Sequence, residues 1–145
     1  PMAVAIAASS QNVFPTNQFL LLMPVSGLST LSILLVGQLI DLDADKKGGK
    51  HGVASRLGTF PAAVIYVLVQ VAIVVFVILM AITFEGSSLF LLIALLPYLV
   101  IFPNAMNKVL KYHEDPAELK KVAKMTVQIH LLFSLLLIVG FIIYL

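Results

Sequence analysis

Residues 41–50 concentrate charge in the sequence Asp-Leu-Asp-Ala-Asp-Lys-Lys-Gly-Gly-Lys. Three carboxylates and three lysines therefore fall within ten residues of a chain that is 61% hydrophobic and 11% charged. If the apolar helix before this segment continues through Asp45, Asp41 and Asp45 lie one turn apart on one face. Their mutual repulsion and the negative end of the helix dipole each cost about 0.3–1 kcal/mol at an exposed surface. A divalent cation reverses both effects, so the spacing predicts a magnesium site formed by Asp41 and Asp45.

The lysines that follow these aspartates are suited to binding a phosphate group. Lys46, Lys47 and Lys50 are cationic donors, and the glycine pair at 48–49 lets the backbone turn back over a ligand. Mg²⁺ held by one or two carboxylates usually also binds waters and substrate phosphate oxygens. Metal and lysine together stabilise the charge that develops on a diphosphate when a C–O bond breaks. The segment therefore predicts a metal–diphosphate site at a membrane surface.

The same residues allow two other interpretations. Asp41, Asp43 and Asp45 match positions 1, 3 and 5 of an EF-hand loop, but position 6 is Lys46 instead of Gly and position 12 is Gly52 instead of Glu. The EF-hand interpretation therefore fails. The remaining alternative is a solvated polar loop whose lysines only determine the membrane topology.

The rest of the chain has the composition of an integral membrane protein. Its mean hydropathy is +1.08, and the absence of cysteine excludes disulfides and thiolate metal sites. A spanning helix needs about 20 mainly apolar residues. We expect one all-α membrane domain over residues 1–145, with the tail of an earlier helix in residues 1–9. The four predicted complete spans are residues 17–40, 59–84, 87–106 and 125–145.

The positive charges predict the orientation of this bundle. All nine Lys and Arg residues fall in two loops, residues 41–58 and 107–124. Two membrane crossings separate these loops, so both lie on the same side. The positive-inside rule assigns that side to the cytoplasm. The predicted metal–diphosphate site then faces the cytoplasm.

Two polar residues in or near the spans are further candidates for the site. Gln38 precedes Asp41 by three residues and is a candidate for lining the same cavity. His130 lies inside the last predicted span, where polar groups usually face the bundle interior. It is a candidate for binding an acceptor hydroxyl, and interhelical hydrogen bonding is the alternative role that we favour.

Residues 41–58 resemble the second aspartate-rich motif of the UbiA family of membrane prenyltransferases. The resemblance is greatest to the dihydroxynaphthoate branch, in which D-x-x-x-D is followed by a basic pair, Gly-Lys and a terminal Arg-Leu-Gly. Residues 115–133 are similar to the last loop and helix of that branch. The resemblance thus covers nearly the whole chain, as the last four helices and the tail of a fifth.

This resemblance implies the C-terminal part of a nine-helix fold that transfers a polyprenyl group from its diphosphate to an aromatic or other lipophilic acceptor, in quinone or lipid biosynthesis. It implies that Asp41 and Asp45 hold Mg²⁺ and that Lys50 and Lys47 contact the diphosphate. Membrane lipid surrounds such an enzyme, and no nucleic-acid partner is expected.

The chain also departs from the family pattern. Gly52 replaces the usual Thr, and the Asn and Arg common before the motif are replaced by Gly37, Gln38 and Ile40. The family's first aspartate motif is absent from this sequence, so we expect a missing N-terminal half or a partner chain to supply it, and this chain alone to be inactive. The competing hypothesis is a non-enzymatic membrane protein, such as a transporter fragment or assembly factor, whose charged loop binds a partner or anionic lipid.

Overall fold

The computed structural model describes residues 17–83 and 88–144, and every regular element in these two ranges is an α-helix. Residues 1–9, predicted as the tail of an earlier helix, lie outside the described residues. In chain order the helices are α1 Asn17–Ile40, α2 Leu42–Lys47, α3 Val53–Leu57, α4 Thr59–Thr83, α5 Ser88–Ala94, α6 Leu96–Val100, α7 Phe102–Lys111 and α8 Pro116–Tyr144.

Four helical stretches are long and apolar enough to cross a membrane, as the composition predicts. They are Met23–Ile40, Thr59–Thr83, Leu89–Lys111 and Pro116–Gly140. Their outward faces carry large exposed apolar side chains such as Leu34, Leu99 and Leu131, which suits a surface covered by lipid chains. The described part of the chain is therefore all-α, and its four apolar stretches are compatible with an integral membrane protein.

The third stretch, predicted as a span over residues 87–106, is divided into three consecutive helices that together reach Lys111. It breaks at Leu95 and again at Ile101, and each break precedes a proline by two residues, at Pro97 and Pro103. Proline lacks the backbone N–H and its ring clashes with the carbonyl four residues earlier, so each proline weakens the helix at these breaks. The stretch then continues to Lys111, which leaves only residues 112–115 between α7 and α8 within the predicted loop 107–124.

Helix α8 begins at the polar sequence that follows this short turn. The Asp115 Oδ1 accepts hydrogen bonds from the backbone N–H groups of Ala117 at 2.9 Å and Glu118 at 3.3 Å. Asp115 thus caps two N–H groups that have no partner inside the helix, and Pro116 follows at the first helical position, where it loses no hydrogen bond. Local sequence therefore places the start of α8 well before its apolar part.

The helices pack around an interior to which all four stretches contribute. Helix α1 makes its most extensive contacts with α4, and α8 packs against α1, α5, α6 and α7. Leu35 of α1, Tyr66 and Ile73 of α4, and Ile129 of α8 are almost completely buried. This packing brings the segment after α1 and the turn before α8 to the same end of the bundle, where α3 contacts both α1 and α4.

Candidate functional site

The helical path of α1 continues through the predicted metal site. The backbone N–H of Asp41 donates to the Gly37 carbonyl at 2.9 Å, and the N–H of Asp45 donates to the Asp41 carbonyl at 2.8 Å. The backbone departs from ideal helix geometry at Asp41, whose φ and ψ are −94° and 11°. Asp41 and Asp45 are therefore one helical turn apart, which is the arrangement that the magnesium interpretation requires.

A tight turn brings Lys50 back to Asp45. The Nζ atom of Lys50 lies 3.5 Å from the Asp45 Oδ1, and the Lys50 backbone N–H donates to the Asp45 carbonyl at 2.9 Å. The turn passes through Gly49 at a φ of 71°, a left-handed conformation that glycine adopts without steric cost. The Asp45 side chain is 20% exposed, whereas that of Lys50 is 77% exposed. One predicted metal ligand and one predicted phosphate-binding lysine are thus neighbours.

The donor set at this turn fits Mg²⁺ better than a metal that needs a closed protein cage. Among the described residues no group of three or more His, Cys, Asp or Glu side chains is placed to hold a metal ion. Two carboxylates on one helical turn leave the remaining coordination positions to water and phosphate oxygens, which is the usual environment of Mg²⁺. Asp41 and Lys47 are exposed to solvent and therefore accessible to such a ligand.

Gln38 has a structural role that its position in the sequence did not reveal. Its Oε1 accepts a hydrogen bond at 2.8 Å from the backbone N–H of Val53, the first residue of α3. A Cβ atom at Gly52 would lie 2.6 Å from that same oxygen. Gln38 therefore fastens α3 to the end of α1, and the contact depends on the absence of a side chain at Gly52. Gln38 and Gly52 are two of the positions at which the sequence departs from the UbiA motif that it resembles. In the structure the side chain at one position depends on the residue at the other.

His130 connects three helices in the bundle interior. The hydroxyl of Ser32 donates to the Ser29 carbonyl at 2.8 Å, so its oxygen accepts from His130 Nε2, also at 2.8 Å. The other ring nitrogen, Nδ1, then accepts from the Tyr98 hydroxyl at 3.2 Å. These directions assign a neutral imidazole with the proton on Nε2. Because both ring nitrogens have partners, an acceptor hydroxyl would have to displace Ser32 or Tyr98 to bind here.

A second interior network joins α4 to α8. The Thr126 hydroxyl donates to the Val122 carbonyl at 2.9 Å and accepts from the Tyr66 hydroxyl at 2.7 Å, and Tyr66 in turn accepts from Gln70 Nε2 at 3.2 Å. The buried Gln70 Oε1 has no partner among the described residues. The sequence signal that could have identified both networks is the recurrence of polar residues one turn apart within apolar helices, at Tyr66 and Gln70 and again at Thr126 and His130.

A cavity of about 380 Å³ lies beside the Asp41–Asp45 turn, between the charged segment and the turn before α8. We call it the loop cavity. Sequence reasoning missed it, and the predicted site residues Asp41, Asp45, Lys47 and Lys50 do not line it. Its lining residues are Leu39, Ile40, Leu42, Asp43, Lys46, Ala54, Ser55, Gly58, Thr59, His113, Glu114 and Pro116.

The far wall of the loop cavity is fixed by contacts to the start of α4. Nδ1 of His113 lies 3.0 Å from the Thr59 Oγ1, and the Thr59 hydroxyl is 3.5 Å from the Glu114 Oε1. The His113 ring also packs edge-on against Phe60, with 5.5 Å between the ring centroids. The turn between α7 and α8 is therefore held over the cavity.

No protein-family model, curated protein or solved structure matches this chain.

Proposed function

We propose that this chain carries the second aspartate motif of a Mg²⁺-dependent membrane prenyltransferase of the UbiA type. The proposed reaction transfers a polyprenyl group from its diphosphate to an aromatic or other lipophilic acceptor in quinone or lipid biosynthesis. The observation that carries the proposal is the continuous helical turn between Asp41 and Asp45, with Lys50 3.5 Å from the second carboxylate. The resemblance of residues 41–58 to the family motif supports the same assignment.

The residues have distinct roles in this proposal. Asp41 and Asp45 hold the ion, and Lys50 and Lys47 donate hydrogen bonds to the diphosphate oxygens. When bound, Mg²⁺ supplies positive charge that stabilises the departing diphosphate. The allylic C–O bond breaks with its electron pair passing to the diphosphate, the acceptor carbon or oxygen bonds to the prenyl carbon, and the acceptor then loses a proton. The apolar bundle beside the turn provides the environment that a prenyl chain requires.

The proposal includes parts that lie beyond this sequence. A first aspartate motif, from an N-terminal half or a partner chain, completes the metal site, and the four spans here form part of a nine-helix fold. The chain by itself is then inactive. The basic loops and the active site face the cytoplasm, in accordance with the positive-inside rule.

The experiment measures binding of a prenyl thiodiphosphate, an analogue that does not ionise, to the full-length protein in lipid nanodiscs. We expect binding that requires Mg²⁺ and that is abolished by Asp41→Asn and by Asp45→Asn, together with prenyl transfer in the same membranes. Asp43→Asn is the matched control, because Asp43 belongs to the same segment but lines the loop cavity.

Unchanged analogue binding and turnover in both Asp41→Asn and Asp45→Asn would overturn the proposal. Retention of anionic lipid without any Mg²⁺-dependent analogue binding would instead favour the alternative function, a non-enzymatic transporter fragment or assembly factor whose charged loop binds a partner or lipid.

A further inference from the structure

The loop cavity contains charges that the proposed metal site does not use. Asp43 and Lys46 of α2 line one wall, and His113 and Glu114 of the turn before α8 line the other. Within the described part of the chain, none of the side chains of Asp43, Lys46 and Glu114 has an oppositely charged partner within 4 Å. Charged side chains that share a cavity without pairing to each other remain available to a polar ligand.

The distribution of these charges indicates a ligand that carries both signs. Each wall presents one carboxylate, Asp43 or Glu114, together with one residue that can donate to an anion, Lys46 or His113. Gly58 and Thr59 also line the cavity, so the positive end of the α4 dipole lies at its edge. A purely anionic ligand would meet two carboxylates, and a purely cationic one would meet Lys46 and the helix end.

The position of the cavity indicates where such a ligand comes from. Leu39 and Ile40 line it at the point where the first membrane-spanning stretch ends. The cavity therefore lies at the depth where lipid headgroups meet the hydrocarbon region, with an apolar wall on the membrane side. Its volume of about 380 Å³ is within the range of small-ligand sites, about 300–1,000 Å³, and suits a headgroup better than a whole lipid.

We propose that the loop cavity binds a phosphoethanolamine group, either as the headgroup of a membrane lipid or as the free compound. The phosphate is bound by Lys46, by the Nε2 of His113, whose Nδ1 is already bonded to Thr59, and at the start of α4, and the ammonium group is bound by Asp43 and Glu114. An ethanolamine ammonium donates hydrogen bonds to carboxylates, whereas a choline group has no N–H to donate and a glycerol headgroup has no positive charge. The site therefore distinguishes these headgroups.

The test uses the full-length protein in nanodiscs that contain equal amounts of phosphatidylethanolamine, phosphatidylcholine and phosphatidylglycerol. Native mass spectrometry then quantifies the lipid retained on release from the nanodisc. We expect retention of the ethanolamine lipid to exceed that of the other two by roughly tenfold, and Asp43→Asn/Glu114→Gln to remove this preference, since each lost charge-assisted hydrogen bond weakens binding by about tenfold or more. Both side chains are exposed, so the variant should fold.

Asp41→Asn is the matched control, because it makes the same change two residues away but outside the cavity lining. It should retain the ethanolamine lipid even where it abolishes binding of the prenyl diphosphate analogue, so this proposal and the proposed function can fail separately. Glycerophosphoethanolamine is the soluble probe. Retention of the ethanolamine lipid and its displacement by the probe identify the headgroup as the source, whereas probe binding without any lipid preference identifies the free compound. Equal retention of the three lipids without probe binding, preference for phosphatidylglycerol, or unchanged binding of lipid and probe in the double variant would overturn the proposal.

Discussion

The Oε1 atom of Gln38 accepts a hydrogen bond from the Val53 backbone N–H at 2.8 Å, across 15 positions of the chain. This bond connects the end of the first membrane helix to the short helix α3, which completes the charged segment. A Cβ atom at Gly52 would lie 2.6 Å from the same oxygen. The connection therefore requires a particular pair of residues and not only a polar side chain at position 38.

The first prediction concerns this pair. Gln38→Ala and Gly52→Ala should each lower the free energy of unfolding by about 0.5–1.5 kcal/mol, because each removes the hydrogen bond to Val53. The double variant should lose clearly less than the sum, because Gly52→Ala has little left to disturb once the Gln38 amide is gone. Unfolding of the reconstituted protein in denaturant measures all three variants.

The control for this cycle is Gly37→Ala. A Cβ atom there meets no atom within 4 Å in the described structure, and alanine stabilises a helix interior by about 0.5–1 kcal/mol relative to glycine. Additive effects of Gln38→Ala and Gly52→Ala would show that the two residues do not act through one contact. The backbone at Gly52 has a φ of −77°, so strain in the alanine variant cannot explain a loss.

The second prediction concerns the interior network around His130. Ser32→Ala leaves the Nε2–H of His130 without an acceptor, and Tyr98→Phe leaves its Nδ1 without a donor. Each variant should cost about 0.6–1.7 kcal/mol, from the average to the largest value measured for hydrogen bonds between membrane helices. Nitrogen NMR of the imidazole should show a neutral ring protonated on Nε2, and a proton on Nδ1 would contradict the assigned directions. Tyr112→Phe is the control and should have little effect, because Tyr112 lies in the turn outside this network.

The third prediction compares two residues of the second network: Tyr66, whose hydroxyl is hydrogen-bonded to Thr126, and Gln70, whose buried Oε1 has no partner in the described structure. Tyr66→Phe removes the hydrogen bond to Thr126 and should cost about 0.6–1.7 kcal/mol. Gln70→Met should be close to neutral, because it removes a buried oxygen that has no partner in the described structure while Tyr66 still donates to Thr126. The same denaturant experiment measures both variants. A larger loss for Gln70→Met than for Tyr66→Phe would indicate that Gln70 has a role beyond this network.

Local sequence predicts the membrane class and several helix boundaries because their causes are local. Hydropathy identifies the spanning stretches, and the charged segment after Ile40 and the Asp115–Pro116 pair mark boundaries that the structure also has. The breaks at Leu95 and Ile101 were not predicted. Proline weakens a helix wherever it occurs, but Pro24 lies inside the unbroken α1, so neighbouring packing determines whether and where the chain bends.

The arrangement of the two proposed sites could not be predicted in the same way. Helical spacing places Asp41 and Asp45 one turn apart, and the backbone hydrogen bonds have that form. That Asp43 lines a cavity depends on the turn before α8, which is held by a contact between Thr59 and His113 across 54 positions. Periodicity identifies the faces of a helix but not the distant segment that covers each face.

The fourth prediction concerns topology, and the absence of cysteine makes it simple to test. Single substitutions Lys47→Cys and Lys120→Cys should be labelled by a membrane-impermeant maleimide from one side only, and Thr83→Cys from the other. The physical reason is that α4 separates Thr83 from the charged segment by one membrane crossing. With intact cells, only Thr83→Cys should react if the basic side is cytoplasmic. Labelling of all three from one side would contradict the assigned topology.

The fifth prediction uses the Asp45–Lys50 pair to separate metal binding from diphosphate binding. The Nζ of Lys50 lies 3.5 Å from the Asp45 Oδ1, so in the proposed metal site the lysine would compete with Mg²⁺ for this carboxylate. Lys50→Gln should therefore strengthen binding of Mg²⁺ alone by about two- to fivefold, the value of an exposed ion pair, while weakening binding of the prenyl diphosphate analogue.

Lys47→Gln should weaken analogue binding without strengthening Mg²⁺ binding, because no described carboxylate lies within 4 Å of Lys47. Calorimetric titration of Mg²⁺ with and without the analogue measures both quantities. Weaker Mg²⁺ binding in Lys50→Gln would show that the lysine supports the carboxylates instead of competing with the ion.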